Sequence, residues 1–257
     1  MKRRIIFLFT CFLCVQLYAQ RFIPRYTGSY ENKIIDEKYY KLCYVVDYKQ
    51  ACWSAYDFSK SPKIIKRIDH FCADEQVENP VVPSDYSNSG YDRGHLTPFY
   101  DLSFSIEAAK STFYMSNMCP QTKALNEQTW RFLEQIPEAL SDYGMENIYV
   151  VSGPLLEKSP RSYKHISKKN IPVPEYFYKI IYFEKNGDKY VYAFIMENME
   201  KAVKKDECGN FSRWQVTVDD IEKRSGIDFF VELDDVTENE LEETRTVIQP
   251  FILNKMN

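Results

Sequence analysis

The apolar residues of this chain change their period several times, and each change marks an element. Residues 40–46 and 51–56 are runs of aromatic and β-branched side chains, the composition of strands, and the polar stretch 47–50 between them predicts a hairpin. Residues 73–90 are polar, with Pro80, Pro83, Ser87, Asn88, Ser89 and Gly90, and read as a loop. A short helix is predicted over 105–110, with Ser105 as its N-cap. From 126 to 143 the residues Trp130, Leu133, Ile136 and Leu140 recur at three- and four-residue spacing, the period of an amphipathic helix. Pro137 is expected to kink that helix or split it. Residues 147–151 form a compact apolar run ending at Gly153-Pro154. Two further strands, 176–183 and 189–196, flank Asn186-Gly187-Asp188, and Asn-Gly between such runs is a strong hairpin signal. Residues 218–224 predict a helix stopped at Gly226. Residues 232–243 hold seven acids and no bases, the pattern of a solvated helix face or a frayed tail. Helices interleaved with antiparallel hairpins place the chain in the α+β class.

Composition adds a leader and a redox context. Lys2, Arg3 and Arg4 precede a mostly apolar stretch over 5–18, and the small Ala19 follows. This is the layout of a secretory signal, residues 1–19, which leaves 20–257 as a single domain with an acidic C-terminal segment, 232–257. The other reading is an uncleaved anchor. The apolar run is short of the roughly 20 residues a membrane span needs and contains Thr10 and Gln16, so no stable membrane association is expected after cleavage. The product would be exported, to the periplasm or out of the cell. Cys43, Cys52, Cys72, Cys119 and Cys208 would remain, an odd set that leaves at least one unpaired within the chain. No Cys-x-x-Cys pair lies among them, which argues against structural zinc. The 257 residues include 20 Tyr and 17 Phe but only 8 Gly, which excludes disorder and a Gly-rich nucleotide-binding fold. The formal charge of −4 becomes −7 once the three bases of the leader are gone. That charge opposes very tight nucleic-acid binding but permits a local basic cleft.

The densest chemistry lies in Tyr91-Asp92-Arg93-Gly94-His95, which holds one of only three histidines. A histidine accepts a proton near neutral pH and an arginine holds phosphate in a fork of donors, so the run suggests cleavage of a phosphate ester. Ser116-Asn117-Met118-Cys119-Pro120-Gln121 follows, then Leu125-Asn126-Glu127-Gln128-Thr129-Trp130 and Glu134. In this order the blocks resemble the DNA/RNA non-specific endonucleases, the ββα-metal (His-Me finger) nucleases that include secreted bacterial nucleases and mitochondrial endonuclease G. Ser152-Gly153-Pro154, Pro174-x-x-x-Tyr178-Lys179 and Ile221-Glu222-x-x-x-Gly226-x-Asp228-Phe229-Phe230 extend the resemblance over roughly residues 38 to 231.

The resemblance implies a mainly antiparallel central sheet flanked by helices, and an endonuclease acting on DNA and RNA with little sequence preference. His95 would be the general base. Asn126 would be the protein ligand of Mg²⁺, with Mn²⁺ as the alternative ion; its competing role is an N-cap. Glu134 lies eight residues on, about 12 Å along a straight helix, and so would hold a metal-bound water rather than the ion. Glu127 is the weaker candidate for that task. Arg93 would contact phosphate or brace the site through Asp92, Arg67 would neutralise transition-state charge, and Asn117 would help shape the site. Secreted bacterial members carry an arginine one turn after the glutamate; here that position is Glu138. Lys164, Lys168 and Lys169 read as a basic surface loop, and His70 and His165 as structural. Two alternatives stand beside this reading: a nucleic-acid-binding relative without catalysis, and a phosphodiesterase for a small exported substrate. Sequence leaves the oligomeric state open.

Overall fold

The computed structural model of the protein describes residues 22–62, 65–67, 69–201 and 211–255. The expected leader and Cys208 lie outside the described residues. In chain order the strands that build the site are β1 (Asn32–Asp36), β2 (Lys41–Val45), β3 (Gln50–Asp57), β4 (Asp92–His95), β5 (Met118–Gln121), β6 (Glu146–Pro154), β7 (Tyr176–Lys185), β8 (Asp188–Glu197) and β9 (Gln215–Val216). A seven-stranded sheet runs in the order β9-β8-β7-β6-β3-β2-β1 and is antiparallel at every pairing. Strands β4 and β5 form a separate antiparallel pair.

Both faces of the sheet are covered, which explains why its central strands read as continuous apolar runs rather than alternating ones. The two-residue period of a strand divides them between two cores. Ile148, Val150, Phe177 and Ile181 enter one core, closed by Trp130, Leu133, Ile136 and Leu140 from helices α2 (Trp130–Leu133) and α3 (Ile136–Asp142). Tyr149, Val151, Tyr178, Ile180 and Tyr182 enter the other, closed by Val218, Ile221 and Leu241 from α4 (Val218–Ser225) and α5 (Asp235–Glu243). Helix α1 (Ile106–Ser111) precedes these, and Ser105 caps it by accepting a hydrogen bond from the Ala108 amide at 3.1 Å, as its sequence predicts.

Both expected hairpins are present. Lys49 closes the 47–50 turn in the left-handed region at φ 54°. Asn186 and Gly187, at φ 53° and 90°, make the tight β7–β8 turn that positive φ at both central residues requires. Gly226, at φ 66°, ends α4. The helix expected over 126–143 is three pieces: a π-helical turn (Leu125–Thr129), α2 and α3. The break falls at Glu134 and Gln135 rather than at Pro137. Pro137 sits in the first turn of α3, where its missing N–H is not needed. The acidic run is not a frayed or wholly solvated tail: α5 is capped by Asp234 and buries Leu241 and Glu242. Cys43, Cys52, Cys72 and Cys119 are free thiols.

Candidate active site

Strand geometry puts Arg93 and His95 on one face of β4, because residues two apart point the same way. Phe71 packs against both. Its ring lies 4.2 Å from the Arg93 guanidinium carbon and 5.8 Å from the His95 ring, and Phe113 meets His95 edge-on at 5.1 Å. His95 is therefore held in an aromatic slot with 8% of its surface exposed. Its Nε2 is sealed from solvent and has no hydrogen-bond partner among the described residues. Burial, helped by the positive charge of Arg67, pushes the imidazole down to about 3. The ring is neutral and can accept a proton wherever the protein is folded at moderate pH.

Asn117 is fully buried and does not reach the cleft. Its Oδ1 accepts from the Thr97 amide at 2.9 Å, and its Nδ2 donates to the Thr97 and Thr112 carbonyls, each at 2.9 Å. The Asn117 carbonyl also accepts from the Leu96 amide at 3.0 Å. This residue fixes the backbone that leaves His95, so the site-shaping role expected for it is a clamp and not a contact with substrate. The glycine of the motif has a packing reason. A Cβ on Gly94 would lie 2.2 Å from Oε1 of Gln121, a fully buried side chain across the β4–β5 pair. Gly94→Ala is expected to destabilise the fold by roughly 1–3 kcal/mol through overpacking, read by urea denaturation.

Asn126 sits in the π-helical turn, a deviation common at functional sites. It is not a cap: the Leu125 amide is taken by Thr122 Oγ1 at 3.2 Å. Its Nδ2 donates to Asp92 Oδ2 at 2.9 Å, which turns Oδ1 away from Asp92 and leaves it as a free acceptor among the described residues. Asp92 thus braces Asn126 rather than Arg93. Glu134 is partly buried at the end of α2, in the same cleft. The segment from Asn126 to Glu134 is helical throughout, and the π turn at Leu125–Thr129 changes the phase between the two side chains. Burial pushes the Glu134 carboxyl up; the Lys179 ammonium opposes this and Asp101 adds to it.

Lys179 belongs to a polar row that crosses an otherwise apolar sheet face. In register, Ser54 of β3, Ser152 of β6 and Lys179 of β7 lie side by side. Lys179 is fully buried; it donates to Ser152 Oγ at 2.7 Å and lies 4.7 Å from the Trp130 ring centre. Ser54 Oγ is 2.7 Å from Thr97 Oγ1, two residues after the site histidine. In the sequence Lys179 stands only in the Pro174-x-x-x-Tyr178-Lys179 block; a lysine inside an apolar strand is the available signal.

These elements open onto one cleft of about 820 Å³, lined by Arg67, Arg93, His95, Asn126 and Glu134. Arg67 is exposed and its Nε donates to Asp69 at 3.1 Å. Arg131 also lines the cleft; sequence reasoning missed it because its helical position alone carried no signal. Glu127 and Glu138 contribute acid to the rim, Glu127 facing Lys123 at 3.7 Å. The loop lysines lie elsewhere: Lys169 donates to the Pro80 carbonyl and Lys164 sits 5.0 Å from the Tyr91 ring centre. His165 Nε2 bonds the Pro160 carbonyl at 2.8 Å, as a structural histidine would, whereas His70 is exposed.

With this geometry in place, comparison with known proteins is decisive. The family model described as DNA/RNA non-specific endonuclease matches residues 17–236. The chain belongs to this family. It is 37% identical over 172 residues to nuclease C1 of Cunninghamella echinulata var. echinulata, covering 61% of this chain and 66% of that one. It is 34% identical over 154 residues to human mitochondrial endonuclease G, covering 57% of this chain and 50% of the relative. The match therefore spans about half to two thirds of the length of these relatives. A solved structure of an EndoG/EndoGI complex shares the endonuclease fold at a TM-score of 0.66, with 24% identity over 81% of this chain and 89% of that chain. The ββα-metal arrangement is recognisable here as β4, β5 and the helical segment that begins at Leu125.

Proposed function

We propose that this chain is a divalent-metal-dependent endonuclease that hydrolyses phosphodiester bonds of DNA and RNA with little sequence preference. One observation carries the reading: an imidazole and an arginine from β4, a second arginine from the segment before it, a carboxamide from the π-helical turn and a carboxylate from the end of α2 line one cleft. His95 accepts the proton of the attacking water. Arg67 and Arg93 hold the scissile phosphate and offset the charge that grows on it. The donor set suits a hard cation: Asn126 offers a free oxygen fixed by Asp92, and Glu134 offers a carboxylate in the same cleft. Asn126 would hold Mg²⁺ with Glu134 beyond it, and the bound ion would neutralise phosphate and leaving-group charge as a Lewis acid. A site made of phosphate and metal contacts carries no base code, so weak sequence preference follows. We further propose export, on the basic and apolar pattern of residues 1–19.

The test is direct. Purified protein with Mg²⁺ is expected to nick supercoiled plasmid and degrade RNA, EDTA is expected to abolish both, and polymer is expected to be cut far faster than a nitrophenyl nucleotide diester. Intact plasmid and RNA with Mg²⁺ or Mn²⁺ would overturn the proposal, and faster turnover of the small diester would transfer it to a small-substrate phosphodiesterase.

A further inference from the structure

Beside its charged residues the cleft has an uncharged border that the chemical step leaves unused. Pro98, Phe99, Tyr100 and Ser103 line it, together with Ile65. The border stands on fixed backbone. The Ile65 amide donates to the Ser103 carbonyl at 3.2 Å, and Ser103 Oγ donates to the Tyr100 carbonyl at 2.8 Å. The Leu102 amide closes the turn on the Phe99 carbonyl at 3.2 Å. Phe99 is buried and packs on Phe113 with 5.6 Å between ring centres, and Phe113 in turn holds the His95 ring. Tyr100 therefore sits on an anchored turn, yet 50% of its surface is exposed. Of the large apolar side chains left exposed among the described residues, it alone lines the cleft.

Charge gives this cleft little grip on a polyanion. Its lining includes three arginines, Arg67, Arg93 and Arg131, and three glutamates, Glu127, Glu134 and Glu138, so their formal charges cancel. The imidazole is neutral, and the chain without its first 19 residues stands at −7. Phosphate contacts dominate the affinity of basic nucleic-acid binders, and that contribution is small here. The strand must still be held while water attacks. Stacking is the contact that does this without charge and without reading sequence, because every base has a π-face. A tyrosine supplies a large rigid face at low entropic cost.

Resting on the endonuclease reading above, we propose that Tyr100 is a stacking platform for an unpaired base beside the scissile phosphate, and that it gives the enzyme a preference for single-stranded over duplex substrate. A base inside a duplex has both faces covered by its neighbours and must leave the stack to reach the ring. An unpaired base pays much less. The platform touches no base edge, so the preference is for strandedness and not for sequence.

The experiment is steady-state kinetics of the full chain with Mg²⁺ on three substrates: a single-stranded oligothymidylate, the same strand paired with oligoadenylate, and a strand of equal length in which tetrahydrofuran abasic units replace every base. The parent is expected to show a lower KM on the single strand than on the duplex. Tyr100→Ala, an exposed change that leaves the turn's backbone bonds in place, is expected to raise KM on the single strand about 5- to 100-fold with kcat little changed, the range of one base–aromatic contact. Its single-strand advantage over duplex is expected to shrink toward unity. Tyr100→Phe keeps the face, loses the hydroxyl and is expected to match the parent. On the abasic strand the parent and Tyr100→Ala are expected to be equal, a result that a merely structural role would not produce. The variant-to-parent KM ratio is expected to hold as KCl is raised, because no phosphate contact is lost. An unchanged KM in Tyr100→Ala, in a parent that cuts, overturns the platform and leaves the endonuclease reading standing. An equal loss on the abasic strand assigns Tyr100 to shaping the cleft, and an equal loss in Tyr100→Phe assigns it to a hydroxyl contact; each overturns the platform too. A parent that cuts no strand overturns the endonuclease reading itself, and the platform with it.

Discussion

His95→Ala is expected to lower kcat on plasmid DNA by roughly 10²–10⁴-fold, the contribution of a positioned general base, with little change in KM. The ring is held between Phe71 and Phe113 and makes no fold-defining hydrogen bond through Nε2, so its loss removes chemistry before architecture. Alanine does leave a gap in the aromatic slot, and His95→Asn is the matched control of similar shape. Both variants should retain the parent far-UV CD spectrum. A kcat within three-fold of the parent in both, at matched folding and roughly the precision of such comparisons, would remove His95 from the chemistry. The pH profile gives a second readout. With its folded value pushed down to about 3, His95 is neutral from pH 5 upward and contributes no acid limb to kcat/KM there; the acid limb belongs to the Glu134 carboxyl, which burial raises, and is expected to be unmoved by substitutions that change only the His95 titration. Arg67 contributes to that depression, and Arg67→Ala is expected to move the His95 titration upward, as followed by NMR of the imidazole C–H signals. The stability consequence has a definite sign. The unfolded chain binds the His95 proton near 6.5 and the folded chain does not. This stabilisation is complete above that value and is lost as pH falls toward the folded value near 3.

Much of this site was readable from residues because local rules and site chemistry coincide in it. Arg93 and His95 are two apart in an extended segment, so any strand places them together. Asn186-Gly187 dictates a tight turn by its backbone preferences, and Gly226 a helix stop. Asn126 was harder. Its position at the start of a helical pattern suited a cap, and only the tertiary bond to Asp92, with Thr122 taking the cap, frees its oxygen. The resemblance gives Asn117 a site-shaping role, but its partners are the Thr97 and Thr112 backbone, contacts with segments 20 and 5 residues away that no local pattern encodes. The break before α3 was displaced by two residues because proline is tolerated in a first turn, so the pattern locates the proline but not the fracture. Glu242 sits in a run whose composition reads as solvated; its burial follows from where α5 docks, which charge counting cannot see.

Lys179→Met is expected to destabilise the protein by about 3–5 kcal/mol, the cost of removing one partner from a buried charge cluster. Methionine preserves much of the length and apolar volume of the side chain, so the loss is electrostatic rather than a cavity. Burial pulls the Lys179 ammonium down from the lysine range, and Glu134 and Asp101 pull it back up. Its removal leaves the Glu134 and Asp101 carboxyls without that positive charge, with Asp101 still accepting a hydrogen bond from the Tyr56 hydroxyl. Lys179 favours the ionised form of Glu134, so without it the Glu134 carboxyl rises further and is protonated at higher pH. The acid limb of kcat/KM is therefore expected to shift to higher pH, and the Mg²⁺ concentration for half-maximal activity to increase, effects that lost packing alone would not produce. Asp101→Asn combined with Lys179→Met removes a charge of each sign and is expected to recover part of the stability, as measured by urea denaturation in a double-mutant cycle. A Lys179→Met protein with unchanged pH profile and metal requirement would make the lysine a passive strand residue, and Glu134 would then owe its ionisation to Arg67 and Arg131 at the mouth of the cleft.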